Sequence, residues 1–460
     1  MAPTAPKPAP SGAVHEVGVD ELFFSTTDSR GVIERSNDVF VRLSHYEREQ
    51  LGGAPHNIIR HPVMPGGAFR AMWDTLEEGA PFAAYVRNLA ANGSEYDVLA
   101  TVTPLPGGGY LSVRTRPVVE ELYGTATAVY ADARALEDER LAAGATRRDA
   151  ALDGAGRILE LLAGEGIEDY ENFQNTVLPA EVARREELSA GFPARPGASG
   201  PLASRLEAVT AVSRALETRM AQQDELAGLA HDLRRASRRL ARSVEDPALT
   251  PEAVAALDRS DDRVAPLAQP LDLWLQMQSI VRANVTRLQG SLTDLERNVG
   301  RTRFRVALAR LHATMTATFL VELLDGGADA SPDEAREALE DVDLLTSALD
   351  DGVVRLGEQA REHTRIAALT ATTIEETRRV LEIPRQLLSL WTAGGGSDVA
   401  GLPERAAALS RAAERTVSST DELLERLGTL AEQCRSVDVA SDEAGLRESL
   451  LALRGEPVTA

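Results

Sequence analysis

The chain has 460 residues and a formal net charge of −22; it is too long for one ordinary hydrophobic core and too acidic to attract a polyanion, which excludes nucleic acid as a partner. Hydrophobic residues make up 43% and charged residues 26%, a balance that excludes wholesale disorder, and no run reaches the roughly 18–20 consecutive apolar residues of a membrane span. The one cysteine, Cys434, rules out an intrachain disulfide, so a reducing cytoplasm is the expected compartment.

Residues 1–19 open with Ala, Pro and Ser around Lys7, lack the apolar core of a secretory signal and are expected as a disordered tail. Residues 20–120 change to short, mixed elements punctuated by glycine. Phe23-Phe24-Ser25-Thr26 and Val32-Ile33-Glu34-Arg35 read as strands joined by a turn at Asp28-Ser29-Arg30-Gly31, where glycine takes a positive φ at no steric cost. After a capping Ser36 or Asn37, the apolar residues Val39, Phe40 and Leu43 have helical spacing. Phe69, Met72, Trp73 and Leu76 repeat it, with a stop near Gly79. Strand-like runs follow at 82–89, 96–103 and 110–116, divided by Asn92-Gly93 and Gly107-Gly108-Gly109. Two strands, short helices and three more strands make an α+β domain of ordinary size.

Residues 121–460 read as all-α, an elongated helical bundle or coiled coil of seven or eight helices. The clearest apolar stripes run through Phe304, Leu308, Leu311, Met315 and Phe319 and through Leu339, Val342, Leu345, Leu349 and Val353. Between them, Gly326-Gly327 and Ser331-Pro332 predict a helix end and a capped helix start. Further breaks are expected at 192–201, 246–251, 266–270 and 392–397. Stripes of this kind serve as core or dimer seam, so a homodimer is expected. Most of the acidic excess lies here too, as a solvated surface or a face for a basic partner.

The chemistry concentrates at residues 55–65, Pro-His-Asn-Ile-Ile-Arg-His-Pro-Val-Met-Pro. Three prolines stiffen a span that carries two imidazoles, a guanidinium and a carboxamide, the makings of a rigid pocket wall. A flavin needs donors for its carbonyls and a slot for its ring. Asn37, Arg60, His61 and Asn88 can donate, and Phe69, Trp73 and Phe82 can pack. A haem would need an axial histidine in an apolar pocket, and His45, His56 and His61 are in range.

Around this segment stand Ser-Thr-Thr-Asp from Ser25, Gly31, Ser36-Asn37, Phe40, Leu51-Gly52, Met72-Trp73, Gly79, Asn92-Gly93 and Val102-Thr103-Pro104. At these spacings residues 20–120 resemble the PAS sensor domain of the aerotaxis-receptor family. The resemblance implies a PAS fold, FAD as cofactor, redox or oxygen sensing, and a chemotaxis kinase or its coupling protein as partner. In that family Arg-His-Pro-Asp-Met-Pro helps to hold FAD; here Arg60 and His61 are kept and Val63 replaces the aspartate. The family's Pro-Trp is Pro81-Phe82, and its Lys-Asn-Arg is Arg87-Asn88-Leu89, which keeps the asparagine; Asn37 is also kept.

No catalytic signature of the phosphate-loop, zinc-protease or serine-hydrolase kind is present, and no enzyme activity is expected. Leu229-Ala230-His231-Asp232-Leu233-Arg234 resembles the phospho-acceptor helix of histidine kinases, but no nucleotide loop follows, which leaves His231 as a solvent-facing helix residue. The chemoreceptor tip motif is absent as well. The expected protein is a cytoplasmic signal-transduction sensor of aerotaxis or chemotaxis type. The alternative is a cofactor-free PAS scaffold or regulatory protein-interaction module.

Overall fold

The computed structural model describes residues 8–244, 246–326, 332–391, 401–437 and 443–455. Among them, five strands, β1 (Phe23–Thr27), β2 (Ile33–Ser36), β3 (Phe82–Leu89), β4 (Glu95–Pro104) and β5 (Tyr110–Thr115), form one sheet in the order β2-β1-β5-β4-β3. Every neighbouring pair is antiparallel. The helices α1 (Asp38–Ser44), α2 (Arg48–Leu51) and α3 (Gly66–Glu77), with a 3₁₀ turn at His56–Ile59, lie between β2 and β3 in sequence. Nine helices come after the sheet among the described residues: α4 (Glu120–Ala142), α5 (Arg147–Gly164), α6 (Tyr170–Leu188), α7 (Pro201–Val244), α8 (Pro251–Ala255), α9 (Ala265–Gly326), α10 (Pro332–Trp391), α11 (Glu404–Ser436) and α12 (Glu443–Arg454).

Local chemistry accounts for the first hairpin. Asp28 Oδ1 accepts from the Arg30 and Val32 amides at 2.8 and 2.9 Å, and Gly31 takes φ +78°, which a side chain would resist. Asn37 then starts α1, its Oδ1 accepting from Phe40 N at 3.2 Å. Successive residues of β1 go to opposite faces of the sheet. Phe23 stacks on Phe40 at 5.2 Å, in a core with Leu43, Ile59 and Tyr96. Phe24 meets Phe319 of α9 edge-on at 5.3 Å. Both faces of the sheet are therefore buried, one under the short helices and one under the long ones.

The chain divides into two compact units: Met1–Met220 with Gly300–Gly357 and Ser441–Ala460, and Ala221–Val299 with Glu358–Ala440. In the first, Phe304, Leu308, Leu311, Met315 and Phe319 join Val342, Leu345, Leu349 and Val353 in one core with Phe24, Leu111 and Val113 of the sheet. In the second, Leu226, Leu233, Leu240, Trp274, Leu292 and Leu427 form a separate core. Cys434 is buried there, and burial pushes its thiol up to about 11, which leaves it unreactive. His231 on α7 is exposed.

The break expected at 266–270 is not a break. Helix α9 begins at Ala265 and runs through Pro270; Pro266 sits in the first turn, where its missing N–H has no helical partner to lose, and Pro270 forfeits a single bond. The predicted glycine breaks at 327 and 392–397, the Ser331 cap and residues 1–7 of the predicted tail lie outside the described residues. Downstream of them, Ser11 N donates to Gly93 O at 2.8 Å and His15 N to Glu95 O at 2.9 Å. Helix α9 contains an 18-residue window with mean hydropathy 1.2, and 67% of that window is buried inside the protein, as in a core helix.

One buried group of the first unit makes its stability pH-dependent. His312 on α9 is 2% exposed, its Nε2 has no hydrogen-bond partner, and burial brings it from the ordinary 6.5 down to about 4. Between these values the unfolded chain binds the proton and the folded one does not, so this contribution is complete above pH 6.5 and is lost as pH falls toward 4. The loss amounts to about 3 kcal/mol. Urea unfolding at pH 7 and pH 4.5 should show most of it in the natural chain and a smaller loss in His312→Leu.

Candidate functional site

A cavity of about 210 Å³ opens between the inner face of the sheet, α3 and the 3₁₀ turn. Strand periodicity builds its floor. Ser112 and Arg114 of β5, Ala100 and Val102 of β4, and Val86 and Asn88 of β3 all line it, each pair two residues apart and therefore on one face. Helix α3 adds Phe69, Met72, Trp73 and Leu76, one stripe at helical spacing, and the 55–60 segment adds His56, Ile59 and Arg60. Trp73 meets Tyr110 edge-on at 5.6 Å, and a Cβ on Gly31 would stand 3.4 Å from the Trp73 ring.

Of the seven residues expected from sequence, Arg60, Phe69, Trp73 and Asn88 come together at the cavity. The Arg60 guanidinium lies 3.7 Å above the Phe69 ring and donates to Met64 O at 3.2 Å. Burial lowers it to about 10, so it stays cationic at neutral pH. Backbone bridging joins Arg60 to Asn88. The Asn88 side chain is buried and its Nδ2 has no hydrogen-bond partner. A buried amide left without an acceptor costs on the order of 1–3 kcal/mol, and the residue that carries it lines the cavity.

The other three lie elsewhere. Asn37 is consumed by structure: besides capping α1, its Oδ1 accepts from Phe24 N at 3.1 Å and its Nδ2 donates to Leu22 O at 2.9 Å. His61 is 3% exposed but outside the cavity lining; its Nδ1 accepts from Val63 N at 3.1 Å and its Nε2 is 3.5 Å from Glu95. Burial holds its imidazole below the usual range. Phe82, the first residue of β3, stacks on Tyr170 of α6 at 4.9 Å and 8°. Val63 is 49% exposed and likewise outside the lining.

As haem ligands the histidines are poorly placed. His45 is an exposed helix cap at φ 53°, and His61 is away from the cavity. His56 lines the cavity, but its Nε2 accepts from Arg114 Nη2. Burial, then the neighbouring guanidinium, hold His56 well below 6.5, so the ring is neutral.

Arg114 was not expected from sequence. It is 4% exposed, and burial lowers it to about 10. The available signal is a guanidinium at an alternate position of an apolar strand, between Val113 and Thr115. Two buried carboxylates on the later helices were equally hidden. Glu137 of α4 accepts from Gly66 N and Gly67 N, both at 2.7 Å, and so caps the first turn of α3. Glu181 of α6 accepts from Tyr85 Oη and Val118 N at 2.7 Å and from Val119 N at 3.1 Å; burial, offset by these donors, leaves its carboxyl above the usual range.

Residues 33–109 match the family model described as PAS fold. This part of the chain is a PAS domain. Over 107 residues the chain is 43% identical to the aerotaxis receptor of Escherichia coli (strain K12), a match that covers 22% of this chain and 21% of that protein. The chain thus spans about one fifth of the length of this relative. Among solved structures, the PAS domain of a Colwellia psychrerythraea protein is 21% identical and covers 21% of this chain and 85% of its own, with a TM-score of 0.19. A fungal LOV domain photoreceptor is 19% identical, covering 24% and 81%, also with a TM-score of 0.19.

Proposed function

We propose that this chain is a non-enzymatic signal-transduction sensor of aerotaxis type in which the PAS cavity holds the ring of a flavin, FAD by family likeness. The carrying observation is the buried Asn88 amide without a partner in a cavity walled by Phe69, Trp73 and Tyr110. Donors from Asn88 and Arg60 suit ring carbonyls, and the aromatic walls suit a planar ring. The volume of about 210 Å³ is below the roughly 300–1,000 Å³ of common cofactor pockets, so it matches a single ring system, with the rest of FAD outside. A bound flavin supplies reversible electron uptake.

The chain's own residues supply the route outward. Helix α3 carries Phe69 and Trp73 in the cavity wall and hands its first amides to Glu137 of α4. The Glu137 charge also acts on Arg60, so cavity and helix share one electrostatic neighbourhood. A shift of α3 would move α4 and, through it, the helical region, which we infer dimerises and docks a cytoplasmic chemotaxis kinase or coupling protein.

Titration of the purified chain with riboflavin, FMN and FAD, read by flavin fluorescence, tests the reading. Binding is expected, with Asn88→Ala raising Kd about tenfold as one buried hydrogen bond is lost. No binding of any flavin would end this reading in favour of the cofactor-free scaffold.

A further inference from the structure

The cavity is lined by three guanidiniums, those of Arg30, Arg60 and Arg114, and by no carboxylate. Arg30 is exposed and paired with Asp28 at 2.9 Å, so the interior charge rests on Arg60 and Arg114. Every polar neighbour found for Arg114 is neutral. Nη1 donates to Ser25 Oγ at 3.2 Å, Nη2 donates to the neutral His56, and the guanidinium carbon lies 4.7 and 5.6 Å from the Phe23 and Phe40 ring centroids. Among the described residues no carboxylate pairs with it.

A buried cation without a counter-ion is costly, because hydroxyl, imidazole and π-face contacts return only part of its lost hydration. What folding gains from the charge here is limited to these neutral contacts, and none of them supplies a counter-ion. Electrostatics and shape point the same way: one buried cation, Arg114, one half-buried, Arg60, one unspent amide donor and aromatic walls, with no acidic side chain among the lining residues.

We propose that the cavity is a receptor for a ring-sized ligand with an anionic edge, Arg114 holding the charge and Arg60 and Asn88 completing the donor set. This deepens the sensor reading, since it rests on the cavity being a ligand site, and it assigns the ligand's chemical class whether or not that ligand is a flavin. Were the ligand a flavin, Arg114 would be the residue that holds the negative charge gained by the ring.

The probes are an aromatic carboxylate, 2-naphthoate, and its neutral amide, added to the full chain and followed by calorimetric titration and thermal unfolding. The carboxylate is expected to bind and raise Tm, with the amide at least about tenfold weaker. Arg114→Lys should keep the preference for the carboxylate. Arg114→Met should abolish it; its ligand-free Tm is expected to fall, because His56 Nε2 and Ser25 Oγ lose their donor, so the acid-to-amide affinity ratio is the readout.

Equal affinity for acid and amide, no binding of either, or carboxylate binding that survives Arg114→Met would overturn the proposal. The flavin titration separates the two readings. Carboxylate binding without flavin binding removes the flavin and keeps the anion site. Flavin binding that is indifferent to Arg114→Met and to competing carboxylate keeps the flavin and removes the anion site.

Discussion

Glu137→Ala is expected to lower the stability of the first unit by about 3–5 kcal/mol. The residue is 2% exposed, and its two carboxylate oxygens each take one amide of the α3 first turn, at 2.7 Å. Helix α3 follows Pro65 with no side-chain cap of its own, so α4 supplies from a distance what a Ser or Asp usually supplies locally. Hydrogen bonds to a charged acceptor contribute about 1.5–3 kcal/mol each, and their loss leaves two donors buried at a positive helix end. Glu137→Gln should recover part of the loss, since one amide oxygen can still accept while the NH₂ opposes the second donor. Urea unfolding gives the magnitude. Hydrogen exchange gives the place, because the Gly66 and Gly67 amides should lose protection first; if they stay protected in Glu137→Ala, the cap is not Glu137.

Gly67→Ala should be nearly as damaging, by about 3 kcal/mol, although it adds one methyl group to a helix that alanine favours. A Cβ there would stand 2.3 Å from Ala155 N and 2.5 Å from Gly154 C. These are backbone atoms of α5, with no rotamer to turn aside, so α3 and α5 must move apart. Gly154 is close-packed in turn against α4, its own added Cβ falling 2.1 Å from Glu137 Oε1. Three helices thus meet through two glycines and one carboxylate. The intrinsic helix preference of alanine predicts stabilisation, whereas the contact predicts loss; thermal unfolding of Gly67→Ala decides by sign. A Tm equal to or above that of the natural chain would refute the close packing.

The strands were legible because their signals are short-range. Predicted runs at 82–89, 96–103 and 110–116 correspond to β3, β4 and β5 within one residue at each end, since turn glycines and β-branched or aromatic runs set strand ends locally. The first hairpin was legible for the same reason, and the cap of α1 was narrowed to Ser36 or Asn37, of which the structure uses Asn37. Of the seven site residues read from sequence, four line the cavity and three do not. Period 2 puts Phe82 and Asn88 on one face of β3, but six residues of strand span about 20 Å, more than one ring can bridge, and Phe82 goes to Tyr170 instead. Asn37 was read as a donor to a ligand, when its Nδ2 already donates to Leu22 O and its Oδ1 caps α1.

By itself the sequence determined the α+β PAS fold at the N-terminus and the helical character of the chain beyond the sheet; it offered 55–65 as a pocket wall, of which Pro55, His56, Asn57, Ile59 and Arg60 line the cavity. Only the tertiary structure decided that Arg114 lies buried without an acid, that α3 borrows its cap from Glu137, and that both faces of the sheet are covered. The reason is one of range. Turn chemistry, caps and periodicity act within a few residues, whereas a charge is paired or unpaired, and a face inward or outward, according to elements hundreds of residues away, as Phe319 is from Phe24.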